Sequence, residues 1–497
     1  MEAEECAFKK ELKTILKQLK DNAVTKLTFC RRGCLEEVVE IANALKYNSS
    51  VASIIFDNNP IRIEGAAAIA EALKVNSTLT SMKLWCNEIG MEGAAVIAEA
   101  LKINSTLTSI NLYGNKIGVG GAAAIAVALK VNSTLTSIDL SYNRIGMEGA
   151  VSIAEALKVN STLTSINLVC NKIGIMGTDA IAEGLKVNST LISINLSSND
   201  LERESAYAIA DALKVNKALS FINLNYNKIG IEGGSAIAEA LKVSSTLTSL
   251  NLCRNEIGIE GASAIANALK VNSSLTSLDL TRNEIGKEGA IAIAEMLKIN
   301  ATLTSIELDA NQIGTEGAIA IAEALKVNAT LTSILISSND IGVEGQVAIA
   351  EILKSNSTLT SITLVETSIG VKGGAAFAEA LKVNSTLTSL NLAGSSIPKQ
   401  CVCGIIAAMK INSSLTSLIF PQSQFTEAKG FSYDEALQAL RFNPTLSTLL
   451  VGVFDDICPE FAINTQHDLK NILKLLTGDD GAKVLAIDFR MKVREIQ

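Results

Sequence analysis

Apolar residues in this chain follow two alternating periods. In LTSLDL, residues 275–280, they fall mostly at every second place, the spacing of a strand with one buried face; in EGAIAIAEMLKIN, residues 288–300, they fall at helical spacing. Gly286 and Gly289 punctuate the joint and predict a tight turn there. The frame L-x-x-L-x-L-x-x-N-x-L that starts at Leu275 returns every 28 residues, with first positions at Val51, Leu79, Leu107, Leu135, Leu163, Leu191, Leu219, Leu247, Leu275, Leu303, Leu331, Leu359, Leu387 and Leu415. Fourteen copies in one register define a repeat protein whose neighbouring units share a continuous core.

A strand that always returns through a helix lies parallel to its neighbour. The pattern therefore predicts an α/β solenoid with one parallel sheet lining an inner, concave face and the wider helices on the convex face. Residues 1–50 read as an N-terminal capping helix and a degenerate first repeat, 51–420 as the fourteen regular copies, and 421–497 as irregular repeats and a C-terminal cap. Phe8, Leu12, Ile15, Leu16 and Leu19 form the apolar stripe of the capping helix, followed by a strand over 24–29 and a helix over 35–46. The copy at Leu191 carries Glu202, Arg203 and Glu204 where the others have a glycine turn, so its geometry must differ. Beyond Phe420 three extra residues precede Leu446, and a helix over 466–476 and a strand over 484–489 are expected.

The frame, its 28-residue period and its long helix resemble the ribonuclease-inhibitor-like subclass of leucine-rich repeats, which includes the repeat regions of NOD-like receptors and of Ran GTPase-activating proteins. The resemblance covers about 390 of the 497 residues. It implies a horseshoe-shaped solenoid, and a buried ladder at the ninth frame position: Asn59, Asn87, Asn115, Asn143, Asn171, Asn199, Asn227, Asn255, Asn283, Asn311 and Asn339. Their side chains would satisfy loop backbone groups, each of which costs roughly 1–3 kcal/mol if buried without a partner. Thr367 and Ser395 end the ladder, and a locally weaker solenoid is expected beyond about residue 360. The fold itself does not fix an activity.

Composition narrows the function by exclusion. The net charge is −8 and no Lys/Arg stripe with interleaved aromatics lies on the strands, which argues against nucleic acid. No run approaches the roughly 18 apolar residues of a membrane span. The acidic opening MEAEECAFKKELK lacks an apolar signal segment, so a cytoplasmic location is expected. Nine scattered cysteines (Cys6, Cys30, Cys34, Cys86, Cys170, Cys253, Cys401, Cys403 and Cys458) suit reduced thiols. Neither Cys30-x3-Cys34 nor Cys401-x-Cys403 has the further ligands a zinc site needs. The recurrent Asn-Ser/Thr triplets from Asn76 onward are formal glycosylation sequons, read here as helix-ending Asn followed by turn formers.

No phosphate loop is present, and the single histidine, His467, leaves no catalytic triad. Glu92, Glu148, Glu232, Glu260, Glu288, Glu316 and Glu344 recur near helix starts, where they complement the helix dipole. The chain therefore reads as non-enzymatic, with no catalytic residue, cofactor or metal. Function is expected where copies differ. Trp85, Tyr113, Tyr142 and Tyr226 occupy the seventh and eighth positions, as binding anchors or as packing of the inner curve. Arg254, Asp279, Arg282, Glu307 and Asp309 form a charged second group. The tenth position tends to split by sign, with Lys116, Arg144, Lys172 and Lys228 before Glu256, Glu284 and Asp340; Glu88 and Asp200 break the trend. The expected function is a monomeric scaffold holding a protein partner on its concave face. The resemblance leaves two alternatives: a GTPase activator of the Ran type acting on a small GTPase, and a NOD-like-receptor-type sensor fragment or microbial effector.

Overall fold

The computed structural model describes residues 12–30, 35–421 and 448–452. The chain divides into two compact units, residues 1–275 and 276–497.

In the first unit a capping helix over 12–20 buries Ile15 and Leu19, while Phe8 lies outside the described residues. The strand Lys26–Cys30 and the helix Leu35–Leu45 follow. Eight further strands, from Ser53–Asp57 and Ser81–Trp85 to Ser249–Asn251, alternate with helices from Arg62–Leu73 to Gly258–Leu269. Each strand pairs in parallel with the one before it, Ser81 opposite Ser109 and Ser109 opposite Ser137, so the 28-residue period becomes the sheet register.

The second unit repeats the scheme with strands from Ser277–Asp279 to Ser417–Pro421 and helices from Gly286–Leu297 to Lys399–Met409. Its strand Thr448–Gly452 pairs with Ser417–Pro421, Ser417 facing Thr448, so the register there absorbs the three extra residues. The expected helix over 466–476 and strand over 484–489 lie outside the described residues.

Burial alternates along every regular strand. Ile110 and Leu112 are sealed against the helices while Ser109 and Asn111 stay half-exposed on the open face of the sheet. In eight of the copies the strand leads into a loop whose eighth, tenth and twelfth frame positions take left-handed backbone, as at Tyr142 (φ 58°), Arg144 (φ 55°) and Gly146 (φ 69°). Left-handed backbone costs an L-residue roughly 1–2 kcal/mol. Hydrogen bonds to the next copy offset it, Tyr142 N donating to Val169 O at 2.8 Å and Gly146 N to Asn171 O at 2.9 Å.

The ninth-position asparagines sit at the centre of that loop. Asn143 Nδ2 donates to Leu112 O of the preceding copy and to Leu140 O, each at 2.9 Å, and its Oδ1 accepts from Asn115 N at 2.8 Å. At the ladder's end Ser395 plays the part with a hydroxyl: it donates to Leu364 O at 2.8 Å and lies 3.2 Å from Thr367 N, which donates to it.

A second asparagine column, at the helix ends, is equally built. Asn104 Nδ2 donates to Leu73 O of the preceding copy at 2.8 Å, and Oδ1 accepts from Thr106 N (3.0 Å) and Leu107 N (2.7 Å). Asn76, Asn132, Asn160, Asn188, Asn272 and Asn300 are buried likewise, so the sequon asparagines are turn residues with a load of hydrogen bonds. Ser244 interrupts the column on the same backbone, its N–H bonded to Ala240 O as Asn272 N is to Ala268 O. Ser244→Asn is expected to stabilise the first unit by about 1 kcal/mol, since the longer amide restores bonds a serine cannot reach. Chemical denaturation checks it, and an unchanged or lower midpoint would contradict it.

The copy at Leu191 differs in the way its missing glycines require. Glu202 is extended (φ −108°, ψ −177°) and bridges to Lys228, and the helix starts one residue later, at Arg203.

Candidate functional site

The open face and the adjoining loops carry every candidate side chain, and the structure sorts them into separate groups. Lys83 and Trp85 are two residues apart on one strand and share a face. Lys83 Nζ lies 5.3 Å from the Trp85 ring centroid, and the indole N–H is buried without a partner. One copy on, Tyr113 at the seventh position meets Tyr142 at the eighth position of the following copy, ring centroids 5.0 Å apart and tilted by 48°. Hydrogen bonding to Cys170, with smaller contributions from the Cys170 charge, partial burial and Tyr113, pushes the Tyr142 hydroxyl up to about 12. That phenol stays neutral through the physiological range.

Tyr226 stands three copies beyond Tyr142, roughly 14 Å away at one strand spacing per copy. It is 58% exposed, and the Arg254 guanidinium sits 5.6 Å from its ring centroid. Arg254 thus belongs to an aromatic contact within the first unit, whereas Asp279, Arg282, Glu307 and Asp309 lie in the second. Between the aromatic groups the fifth-position row is polar and self-satisfied. Asp139 Oδ2 accepts from Asn111 Nδ2 at 3.0 Å and Asn167 Nδ2 at 3.2 Å, and Oδ1 accepts from Ser141 N at 2.9 Å.

In the second unit the same row sets carboxylates on adjacent strands. Glu307 has Asp279 on one neighbouring strand and Leu335 on the other. Burial, then Asp279, then Asp309, raise its pKa to about 7. Burial also raises Asp309, although Ser337 N donates to it at 2.5 Å. A carboxyl whose folded pKa exceeds its unfolded value near 4.5 favours the folded state most below that value, and the contribution is lost as pH rises through about 7. Glu307→Gln is therefore expected to raise the stability of the second unit at pH 8.5 by about 1 kcal/mol after allowance for solvent screening, and to leave it little changed at pH 5. Thermal melts of both proteins at the two pH values check this; a gap independent of pH would contradict it.

Two of these contacts have a simple origin in the repeat geometry. The Lys83–Trp85 contact follows from i,i+2 spacing on a strand. The Cys170–Tyr142 contact follows from the 28-residue period. The sequence reads the helix-ending asparagines as turn formers, and the structure adds their hydrogen bonds to the preceding copy. Cys86, Cys170, Cys253, Cys401 and Cys403 are not disulfide-bonded. Among the described residues no group of three or more His, Cys, Asp or Glu is placed to hold a metal ion. No helix among them is long and apolar enough to cross a membrane.

A family model described as Leucine Rich repeat matches nine segments: residues 104–126, 131–154, 159–182, 187–210, 215–238, 243–266, 271–294, 300–322 and 327–350. With the parallel strand–helix repeats, this identifies the chain as a leucine-rich repeat protein, its copies of the ribonuclease-inhibitor-like kind. Among solved structures, leiomodin-1 actin-binding site 2 is 31% identical over 27% of this chain and 77% of its own, with a TM-score of 0.25. The leucine-rich repeat-containing protein LegL7 from Legionella pneumophila is 19% identical over 57% of this chain and 92% of its own, with a TM-score of 0.37. None of the curated proteins matches.

Proposed function

We propose that this protein is a non-enzymatic scaffold that holds a protein partner on the open face of its sheet, with the aromatic groups of the first unit as anchors. The observation that carries the reading is the placement of Tyr142 and Tyr226. Both occupy the left-handed eighth position, where Gly114 and Gly394 in sibling copies need no side chain, and both remain half or more exposed. A large ring there gains little by burial. Exposed tyrosine and tryptophan are the residue types that dominate binding energy at interfaces.

The test compares affinity capture by the wild-type chain with capture by a Trp85→Ala, Tyr113→Ala, Tyr142→Ala, Tyr226→Ala variant whose fold is verified by circular dichroism. Partners retained by the first and lost by the second are expected. Equal retention by both would remove these aromatics from the binding surface.

A further inference from the structure

We infer that Tyr113, Tyr142, Arg144 and Lys172 form a docking site for a short acidic segment of a partner protein, one that presents two or more carboxylates beside an apolar residue. The inference rests on the proposed scaffold reading and assigns the partner a chemistry.

Charge is the first support. The chain carries a net −8, yet the tenth frame position is a cation in three consecutive copies: Lys116, Arg144 and Lys172, all exposed. Lys116 Nζ is engaged by Glu88 at 3.1 Å, which Arg62 also approaches at 3.5 Å. Arg144 and Lys172 have no ion pair among the described residues. Their freedom contrasts with the helix ends of the same unit, where Lys74, Lys102, Lys158, Lys186, Lys214 and Lys242 are each paired with an acid three residues earlier.

Placement is the second support. Tyr142 and Arg144 are two residues apart in one loop, both in left-handed backbone, and Lys172 follows one copy later in the same conformation. Adjacent parallel strands are roughly 4.8 Å apart, so one extended segment reaches both cations while an apolar side chain lies on the tyrosine pair. The Tyr142 hydroxyl, held neutral to about pH 12, does not repel an anion.

Extent selects the ligand class. Glu88 bounds the cationic run on one side and Asp200 on the other, leaving a patch three copies wide. A nucleic acid strand would continue past both acids on a chain of opposite overall sign to the one it needs. A short acidic motif would not.

The test is selection of a random decapeptide display library against the full chain, followed by anisotropy titration of the selected peptides. Peptides enriched in Asp and Glu beside a large apolar residue are expected. Their affinity should fall at least tenfold in Arg144→Glu/Lys172→Glu and weaken between 50 and 500 mM NaCl. It should persist in Lys130→Glu, an exposed helix-end control. The double variant is compatible with folding, because Glu256 and Glu284 occupy the same frame position in the same left-handed backbone. Selected peptides without acidic bias, or with affinity unaffected by the charge reversal, would overturn the inference. If such peptides still lost affinity in the four-aromatic variant, the scaffold reading would stand alone; if not, both would fall. Tighter binding of a twelve-nucleotide single-stranded RNA than of any selected peptide would also overturn it.

Discussion

Asn143→Ala is expected to destabilise the first unit by about 3 kcal/mol, and Asn143→Ser by about half as much. The reason lies in which groups lose their only partner. The carbonyls that Asn143 Nδ2 serves each keep a second donor: Leu112 O retains Asn115 Nδ2 at 2.9 Å, Leu140 O retains Asn171 Nδ2 at 2.9 Å, and Ser141 O retains Gly114 N at 3.0 Å. Asn115 N has no such reserve. It donates to Asn143 Oδ1 at 2.8 Å between two fully buried residues, and alanine would orphan it at roughly 1–3 kcal/mol, with further loss from the three weakened carbonyls. Serine keeps an acceptor and one donor, as Ser395 does toward Thr367 N and Leu364 O. Urea titration followed by circular dichroism checks the order Asn, Ser, Ala. Because repeat arrays lose cooperativity, hydrogen exchange over residues 113–145 supplies the local reading. An alanine variant as stable as serine would show that the backbone N–H finds water instead.

The frame made the core legible because each of its apolar positions has a fixed direction once strands stack at 28 residues. Ile110, Leu112 and Ile117 needed no further information to be placed inside. The first asparagine column was legible only through the family resemblance. The second was hidden by its own chemistry, since Asn-Ser-Thr after a helix has a sufficient local explanation as a turn, and the carbonyl it serves lies 31 residues back. At the candidate site, sequence position shows only that Trp85, Tyr113 and Tyr142 fall in three consecutive copies. In the structure the offset between seventh and eighth positions lets Tyr113 reach Tyr142, while Trp85 meets Lys83 of its own strand. Glu307 shows the same limit from the electrostatic side. Its neighbours Asp279 and Leu335 were readable from the period, while the depth of its burial, the largest cause of its raised pKa, was not.

Gly121→Ala is the second large effect expected, about 2 kcal/mol of destabilisation despite alanine's gain of roughly 1 kcal/mol in helix propensity. A Cβ on Gly121 would fall well inside contact distance of Ile117 Cγ2 and 2.9 Å from Ala94 Cβ on the preceding helix. Both obstacles are short, stiff groups in a close-packed interior, so helix or loop must shift. The clash belongs to the glycine turn. Where the residue before the helix is extended instead, at Glu202 and Pro398, the equivalent positions hold Ser205 and Cys401. At Gly370, also extended, a Cβ on Gly373 would meet Gln346 and not Ile369. Leu201 in the serine-bearing copy moreover has no branch at Cβ. Ile117→Leu is therefore expected to recover about 1 kcal/mol of the Gly121→Ala loss, a coupling that a double-mutant cycle in urea resolves. Strict additivity of the two substitutions would place the obstruction on Ala94 alone, and with it the spacing of adjacent helices rather than the turn as the origin of the glycine requirement.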